Sequence, residues 1–438
     1  KKSSAVRLST SRLSSVMAFA AMSLVSSLGL GVESSAGSTF AWPAYHSNTE
    51  LYAEWQKLAD SSYCKHKMNL VNEDETVDGW KLKTATFGTG DTKVMYVFGI
   101  HGREYLGAEV GLALMKRLCN EEGDSRIDEL LKKVTFKMFP LMNPSGRAGN
   151  LPEKKISSNH GEECVLRRTN ANGIDLNRNF DVHFGDGDSM PGAVDWRGEK
   201  AQSEVESKLL AKIGASFKPD LYIDVHTGAF ATLTPYSYTT QDIPKDDMSA
   251  LMNLLVAVKG SKSFTFTSLP DAGQGSQLLY VAMGTTMDYF YEALGTPYAY
   301  TWETYDQERV AMAHRSRGEM QQGVALDAAS SRPSWVPDMP QMRAYKQRQQ
   351  MRLGNSTGAT RPLPARAVAD VAAMQPTIGG SMCSPGILPD QLCADSCFAF
   401  YNPISQPELE HYVNSWLENL VAASEYVVAN PRPHRKLR

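Results

Sequence analysis

Two apolar stretches of the sequence each run directly into a histidine, and these histidines are the first candidates for chemistry. Residues 94–100 read as a buried strand and lead into His101 and, three positions later, Glu104, while residues 220–225 lead into His226. Ligands bind at the carboxyl ends of parallel strands in α/β proteins, and imidazoles and carboxylates are ligands that zinc accepts. Chance H-x-x-E patterns and structural histidines are both common, so the pattern alone is only a hypothesis.

A second group of polar side chains lies in a stretch without helical or strand periodicity. Residues 166–180 contain LRRTN and GIDLNRNF, which concentrate arginines and amides. Such a stretch is either a solvated loop or an anion-binding wall, because the arginine fork matches the geometry of a carboxylate. Glu303 follows the apolar residues 299–302, and a carboxylate at the end of a buried strand needs a partner or a chemical role.

The hydrophobic pattern predicts the elements that must position these residues. Strands are predicted at 80–87, 94–100, 134–140, 220–225 and 299–302, and helices at 51–58, 203–216, 286–294 and 408–428, with a further helix directly after Glu104. Strands that alternate with helices at this spacing predict an α/β fold, in which a mostly parallel sheet is covered by helices on both faces.

Composition places the chain among ordinary soluble globular proteins. Its 438 residues are 42% hydrophobic and 21% charged, with a formal net charge of -3. That balance gives no global basicity for binding nucleic acid. Residues 307–392 differ from the rest, because prolines and glycines are scattered through them and apolar periodicity is poor. We interpret them as a low-complexity surface insertion that is partly disordered.

The first 37 residues predict a targeting segment. Basic residues at 1–15 precede an apolar run at 16–25 and small residues near 34–36, which is the order found in a signal peptide. A secreted or secretory-pathway protein, including a vacuolar one, is therefore predicted, with an Arg- and Ser-rich transit peptide to an organelle as the alternative. Serines and glycines dilute the apolar run below what a stable membrane span needs.

The cysteines agree with a secretory route. Six cysteines form an even set without C-x-x-C metal spacing, which predicts one to three disulfides whose pairing the sequence leaves open. A single N-x-T sequon begins at Asn355.

Six motifs carry a resemblance to a known family. The stretches HGRE, NPSGR, LRRTN, GIDLNRNF, DVHTG and YTWE, in this order, resemble the zinc metallocarboxypeptidases of carboxypeptidase A and B type, and among these the plant and protist zinc carboxypeptidases. Any one motif is weak, whereas the ordered set, over about residues 45–305, is specific. The CFAFYNP segment and the helix after it resemble the last element of the family.

The resemblance implies a fold and a domain division. The fold is a central mixed, mostly parallel twisted sheet with helices on both faces. A catalytic domain would cover residues 38–306, the insertion 307–392 would follow it, and residues 393–430 would complete the catalytic domain before a basic tail at 431–438.

The resemblance also implies a metal centre with one zinc ion per chain. Its ligands would be His101, Glu104 and His226, which leave a fourth position for water, as in a catalytic rather than a structural zinc site. Asp175 would orient the first histidine, and such a bond fixes the tautomer and basicity of the ring.

Catalytic and substrate-binding roles follow by the same resemblance. Glu303 would be the general base that acts on a zinc-activated water, and Arg167 would stabilise the oxyanion. The substrate's terminal carboxylate would be held by Asn177 and Arg178, with Tyr280 as a mobile tyrosine that closes over it. Arg103 would lie on the outer part of the substrate groove.

Two residues imply opposite preferences for the terminal side chain. Met287 falls at the family position that lines the base of the pocket, and a methionine there favours large apolar or aromatic residues. Ala282 and Thr301 fall at other lining positions and add no charge. Asp224 would attract a cation if it pointed into the pocket, but its place beside the metal favours a role in the outer shell. An apolar preference is therefore predicted.

The predicted function is a zinc-dependent carboxypeptidase that hydrolyses the C-terminal peptide bond of peptides and proteins. Two alternatives remain open: a catalytically inactive peptide-binding module on the same fold, and a zinc amidohydrolase that acts on small acylated amino acids. The intact ligand set counts against the first, and the intact carboxylate clamp counts against the second. The predicted partners are peptide or protein C-termini, with no nucleic acid and no stable membrane span, and a monomer is expected.

Overall fold

The computed structural model describes residues 44–148, 167–186, 190–261, 270–306, 398 and 401–435. The targeting segment predicted at 1–37 and the insertion predicted at 307–392 lie outside these residues, as does part of the basic tail.

Eight strands of the described residues form a single sheet in the order β1-β2-β4-β3-β5-β8-β6-β7. The strands are β1 Met68–Glu75, β2 Lys81–Phe87, β3 Thr92–Phe98, β4 Val134–Phe139, β5 Leu221–His226, β6 Ala229–Thr234, β7 Asp271–Gln274 and β8 Tyr298–Tyr305. The four central strands, β4-β3-β5-β8, run parallel. At the two sides of this group, β2 pairs with β4 and β6 pairs with β8, both antiparallel. Beyond them, β1 is antiparallel to β2, and β7 is parallel to β6. The predicted mixed, mostly parallel sheet is confirmed.

Helices connect these strands and bound the sheet. They are α1 Asn48–Asp60, α2 Tyr105–Cys119, α3 Ser125–Lys133, α4 Pro144–Arg147, α5 Val205–Phe217, α6 Lys245–Lys259, α7 Gly275–Leu278, α8 Thr286–Asp288 and α9 Gln406–Ala429. A π turn, Tyr289–Ala293, continues α8. A 3₁₀ turn, Leu176–Arg178, lies in the long polar loop. The predicted helices that begin near residues 51, 203, 286 and 408 are all present.

The central strands are buried because helices cover both faces of the sheet. On one face, the Tyr96 hydroxyl donates to the carbonyl of Leu420 in α9, and the Tyr300 hydroxyl donates to the carbonyl of Leu251 in α6. On the other face, the ring of Tyr222 stacks on Phe290 with the ring centroids 3.7 Å apart. Strands enclosed in this way read as continuous apolar runs, which is why the sequence pattern could predict them.

The C-terminal helix α9 packs back on the domain that the earlier strands form. The Trp416 indole donates to the carbonyl of Thr304 in β8, and Arg126 of α3 pairs with Glu418 and Glu425 of α9. A late segment therefore packs on the domain that the early strands form. That residues 393–430 complete the catalytic unit stays a prediction.

One disulfide, Cys64–Cys119, lies among the described residues and links the segment after α1 to the end of α2. The other four cysteines are outside the described ranges, so the prediction of one to three disulfides is met at its lower bound. Among the described helices, none combines the length and apolarity that a bilayer span requires.

Candidate active site

Three potential metal ligands converge at the carboxyl ends of two adjacent parallel strands. His101 follows β3, Glu104 stands at the start of α2, and His226 is the last residue of β5. All three side chains are buried, and their donor atoms lie within 4.8 Å of one another. His226 Nδ1 is 3.1 Å from His101 Nδ1 and 3.2 Å from Glu104 Oε2. Two ring nitrogens and a carboxylate that face one small volume are a donor set that fits zinc.

The HGRE turn reaches this position because two glycines allow close packing. A Cβ on Gly102 would overlap the carbonyl group of Gly146, which lies in α4 within the NPSGR motif. Asn143 caps α4 by accepting from the Gly146 N–H at 2.8 Å, and its amide donates to the carbonyl of Ile100 at 3.1 Å. The two motifs therefore form one packed unit beneath the metal ligands.

The charges within the ligand group stabilise an ionised Glu104. Burial alone would raise the pKa of Glu104, but the adjacent His101 and His226 hold it well below its usual range. Burial likewise opposes protonation of His226, whereas Asp224 and Glu104 raise its pKa well above the ordinary value. The buried carboxylates around these histidines therefore favour a bound positive charge, which can be a proton or a metal ion.

Each imidazole also contacts a buried carboxylate through its second ring nitrogen. His101 Nε2 lies 3.1 Å from Asp175 Oδ1, and His226 Nε2 lies 2.9 Å from Asp224 Oδ2. Such contacts fix the tautomer that directs Nδ1 towards the metal site. Asp175 therefore lies where the resemblance placed it, and Asp224 has an equivalent position on the other histidine.

Asp175 is held in place by its own loop. Its Oδ1 accepts from the Asn177 N–H at 2.9 Å, which caps the 3₁₀ turn, and its own N–H donates to the carbonyl of Trp196. Burial would raise the pKa of Asp175, but Arg168, Arg178 and His101 hold it well below its usual range. The carboxylate is thus ionised and rigidly placed.

Glu303 lies next to the ligand group because of strand register. In the β5–β8 pair, Glu303 stands directly beside His226. Burial raises the pKa of Glu303 to about 8, since the nearby carboxylates add to the effect of burial and together outweigh the attraction of His226 and Arg168. Its Oε2 is buried without a hydrogen-bond partner among the described residues. A polarised proton donor could occupy that acceptor position.

Of the two adjacent arginines in LRRTN, Arg168 is the one that reaches the metal ligands. Arg167, to which the resemblance assigned the oxyanion role, donates from Nη1 to the carbonyl of Ala148 at 2.8 Å. Arg168 places Nη1 3.2 Å from His101 Nδ1 and 3.9 Å from Glu104 Oε1. The path of the loop turns neighbouring side chains in different directions, and Arg168 supplies the positive charge at this centre.

Asn177, Arg178 and Tyr280 form a second group beside the ligands. Asn177 Nδ2 lies 3.4 Å from His226 Nε2, while its Oδ1 accepts from the Thr286 N–H at 2.8 Å. Arg178 Nη2 donates to the Tyr280 hydroxyl at 3.1 Å. The three residues predicted to bind the substrate carboxylate are therefore neighbours, and they couple the 3₁₀ turn to the start of α8.

Arg103 contacts the C-terminal segment. Its guanidinium carbon lies 4.1 Å above the ring centroid of Tyr401, a residue of the C-terminal segment. The structure thus places Arg103 against the segment that returns from the far end of the sequence, a contact that local sequence patterns could not reveal.

Met287 is fully buried in α8 and faces small or apolar neighbours. A Cβ placed on Gly275 would lie 3.5 Å from Met287 Cε, 3.8 Å from the Cβ of Leu233 and 3.0 Å from the Ser237 hydroxyl. Asp224 contacts the residue that precedes Met287, because its Oδ2 accepts a hydrogen bond from the Thr286 hydroxyl at 2.7 Å. Its Oδ1 is buried without a partner among the described residues.

Comparisons with known proteins agree with this geometry. A model of the zinc carboxypeptidase family matches residues 52–338. Human carboxypeptidase A1 is 27% identical over 290 residues (62% of this chain, 65% of the relative), and rat carboxypeptidase A2 is 29% identical over 282 residues (62% and 64%). Zinc carboxypeptidase A 1 of Anopheles gambiae is 29% identical over 280 residues, or 60% of either protein. The chain therefore spans just under two thirds of the length of these relatives.

A solved structure has a similar fold. Bovine thrombin-activatable fibrinolysis inhibitor, in complex with tick carboxypeptidase inhibitor, aligns with a TM-score of 0.50 and 23% identity over 60% of this chain and 87% of that one. At this identity the likeness concerns the fold alone.

Proposed function

The chain belongs to the zinc carboxypeptidase family, and we propose that it hydrolyses the C-terminal peptide bond of peptides and proteins. One observation carries the proposal: strand register sets Glu303 beside His226, so that a carboxylate outside the ligand set adjoins the metal site. A metal-ligand group with an adjacent free base is the arrangement of a hydrolytic centre rather than a structural one.

His101, Glu104 and His226 would hold the zinc ion. When bound there, zinc supplies Lewis acidity, which polarises a carbonyl oxygen and lowers the pKa of water. The remaining contributions come from the side chains of the protein.

Glu303 would be the general base and then the general acid. It would accept a proton from the attacking water and donate that proton to the leaving amine. The unpartnered Oε2 supports this role, because the oxygen is free to accept within the described structure.

Arg168 would stabilise the oxyanion that forms at the attacked carbonyl. Its guanidinium is buried at the ligand group and its orientation is fixed by Asp175. A preorganised cation in a site with little water stabilises developing negative charge without having to reorganise. We therefore assign to Arg168 the role that the resemblance implied for Arg167.

Restriction to chain ends would come from Arg178 and Tyr280. A guanidinium binds a free carboxylate through two parallel hydrogen bonds, whereas an internal peptide bond offers no such charge. Asn177 would add an amide donor next to the same position, since its side chain already lies between His226 and Thr286. Arg178 and Tyr280 together favour an exopeptidase over an amidohydrolase, which would lack residues that bind a terminal carboxylate.

The terminal side chain would be apolar or aromatic. Met287, Leu233 and Gly275 are buried next to one another and carry no charge. Asp224 has its Oδ2 engaged by His226 and by Thr286, which would leave only Oδ1 to attract a cation. A lysine or arginine terminus would then leave its charge poorly paired, at a cost in binding.

We propose further that the protein acts in an oxidising compartment and is secreted or retained along the secretory pathway. The Cys64–Cys119 disulfide supports this location, because such bonds persist where thiols are not kept reduced. The predicted targeting segment at residues 1–37 supports the same route.

The decisive experiment uses two blocked dipeptides that end in phenylalanine and differ only at the terminus. One has a free carboxylate and the other a carboxyl-terminal amide. We expect zinc-loaded protein to release phenylalanine from the first only, and we expect a chelator to abolish that release until zinc is restored. Equal hydrolysis of both substrates would favour an amidohydrolase, and zinc binding without hydrolysis would favour a peptide-binding module.

A further inference from the structure

The first turn of α2 presents a problem, because the residue that should cap it is also a metal ligand. The first backbone N–H groups of a helix need acceptors, and the side chain at the N-cap position usually provides one. Glu104 occupies that position, but its carboxylate faces His101 and His226 and accepts from the Thr227 N–H at 3.1 Å. Another residue must therefore complete the end of this helix.

Asn402, from the C-terminal segment, fills that role. Its Oδ1 accepts from the N–H of Tyr105 at 2.7 Å and from the N–H of Leu106 at 3.1 Å. Its Nδ2 donates to the carbonyl of Arg103 at 2.8 Å. The Arg103 carbonyl belongs to the peptide group before the Glu104 Cα, and the Tyr105 N–H belongs to the peptide group after it. The Asn402 side chain therefore binds the peptide groups on both sides of Glu104.

Asn402 is itself firmly placed. It is fully buried, and its Nδ2 also donates to the carbonyl of Phe398 at 3.1 Å. The Phe398 ring packs edge-on against Tyr45 and Tyr105, with centroid distances of 5.4 Å in both cases. The Tyr45 hydroxyl donates to the carbonyl of Pro403 at 2.9 Å, which fixes the residue that follows Asn402.

We propose that Asn402 is a positioning residue for the metal ligand Glu104. By accepting from the N–H groups of the first helical turn, it releases the Glu104 carboxylate from capping its own helix, and both oxygens can face the metal site. By binding the two flanking peptide groups, it also fixes the direction in which that side chain leaves the backbone. The C-terminal segment is thereby part of the metal centre, although none of its described residues belongs to the ligand group.

Removal of the Asn402 amide should weaken zinc binding. In Asn402→Ala, the N–H groups of Tyr105 and Leu106 lose their acceptor, and the carboxylate of the N-cap residue, Glu104, becomes a competing one. Competition between helix and metal for that carboxylate should reduce zinc affinity roughly tenfold to a hundredfold, the range usual for residues that orient metal ligands. Asn402→Asp keeps an acceptor at the helix end, where a negative charge is favourable, but it sets an oxygen against the carbonyls of Arg103 and Phe398, so zinc affinity should fall in this variant too.

The matched control is Asn419, a second fully buried asparagine in the same C-terminal part of the chain. It lies in α9, and neither polar atom of its amide has a hydrogen-bond partner among the described residues. Asn419→Ala changes the packing of that helix without touching the HGRE turn. Its zinc affinity should stay within about twofold of the wild type whatever happens to its Tm.

The measurement is the zinc dissociation constant of each full-length variant, determined by competition with a chromophoric chelator, together with the Tm of the metal-free protein. The inference rests on the proposed zinc site, which the wild-type measurement tests separately. If the wild type binds no zinc, the proposed function itself is wrong. If Asn402→Ala binds zinc as tightly as wild type, or if it and Asn419→Ala weaken zinc equally, Asn402 has only a structural role. Should Asn402→Ala not fold, Asn402→Ser replaces it in the same comparison, since a hydroxyl is too short to bind both flanking peptide groups.

Discussion

Arg168 and Asp175 form a buried ion pair, with Nε 2.8 Å from Oδ2, that directs the end of the guanidinium towards the metal ligands. The other carboxylate oxygen of Asp175 lies against His101. One carboxylate therefore orients both a metal ligand and the cation next to it. Because the pair is buried, salt screens the attraction between its members only weakly. Burial by itself would lower the pKa of Arg168, but Asp175 and the other negative groups nearby together outweigh this effect, and the pKa is raised above its usual value.

The adjacent arginines Arg167 and Arg168 provide a direct test of which one acts in catalysis. Arg168→Ala should reduce kcat by roughly a hundredfold to a thousandfold, the usual cost of removing one donor to an oxyanion. Arg167→Ala should change kcat only a few-fold, because Arg167 donates to the carbonyl of Ala148 outside the ligand group. Steady-state kinetics on the blocked dipeptide with a free carboxylate measures both.

If kcat falls strongly in Arg167→Ala and changes little in Arg168→Ala, the oxyanion role belongs to Arg167, as the resemblance implied. Arg168→Lys refines the outcome. Lysine keeps the charge but lacks the planar fork that binds Asp175, so it should recover only part of the lost kcat.

Glu303→Gln should keep zinc and the fold but lose turnover. The substitution removes only the proton transfer, since Glu303 is outside the ligand set, and loss of a general base costs roughly a hundredfold to ten-thousandfold in kcat. Zinc content, measured by atomic absorption, should stay at one ion per chain. A variant with near wild-type kcat would show that another group transfers the proton.

Terminal-residue preference can be measured with blocked dipeptides that end in Phe, Leu, Met, Lys or Arg. We expect kcat/KM for the apolar termini to exceed that for the basic ones by at least about tenfold, because Met287 and Leu233 leave an ammonium or guanidinium unpaired. Met287→Asp should reduce that ratio. If Lys or Arg leaves faster than Phe in the wild type, and Asp224→Ala abolishes that preference, then Asp224 defines the pocket and the apolar assignment fails.

The strands that carry the metal ligands could be predicted because they are enclosed. β3 and β5 are buried along most of their length, so their sequences are continuous apolar runs that end at His101 and His226. The edge strand β1 was not predicted, because its sequence, MNLVNEDE, is mostly polar and half of it faces solvent. β6 is not predicted either, since its six residues, AFATLT, include only two large apolar side chains, and the strand is defined by its pairing with the distant β8.

The same contrast holds within the candidate site. The ligands and Glu303 lie at strand ends, where local sequence marks them. The choice between Arg167 and Arg168 depends instead on the path of a loop, which no periodicity encodes. Asn402 is separated by 297 residues from the helix that it caps, and only the folded chain brings the two together.

The N-terminal part of the described chain should attach to the domain in a pH-dependent way through His46. Its Nδ1 lies 2.7 Å from Oε2 of Glu109 in α2, and its backbone N–H donates to Oε1 of the same carboxylate at 3.0 Å. The hydrogen bond to Glu109 raises the pKa of His46, against the opposing effects of burial and of Lys116, with Glu54 adding a smaller increase. His46 therefore binds a proton more tightly in the folded than in the unfolded state.

The sign of the effect on stability follows from that direction. A histidine whose pKa is higher in the folded than in the unfolded state contributes stability fully below the unfolded value, here 6.5, and loses that contribution as pH rises through the folded value. His46→Gln should therefore lower the Tm more at about pH 5.5 than at about pH 9, through a difference on the order of 1 kcal/mol or less. The exposed His66→Gln is the matched control, and its effect should be small at both pH values. A Tm difference for His46→Gln that is constant or grows with pH would show that the Glu109 contact does not depend on protonation of His46.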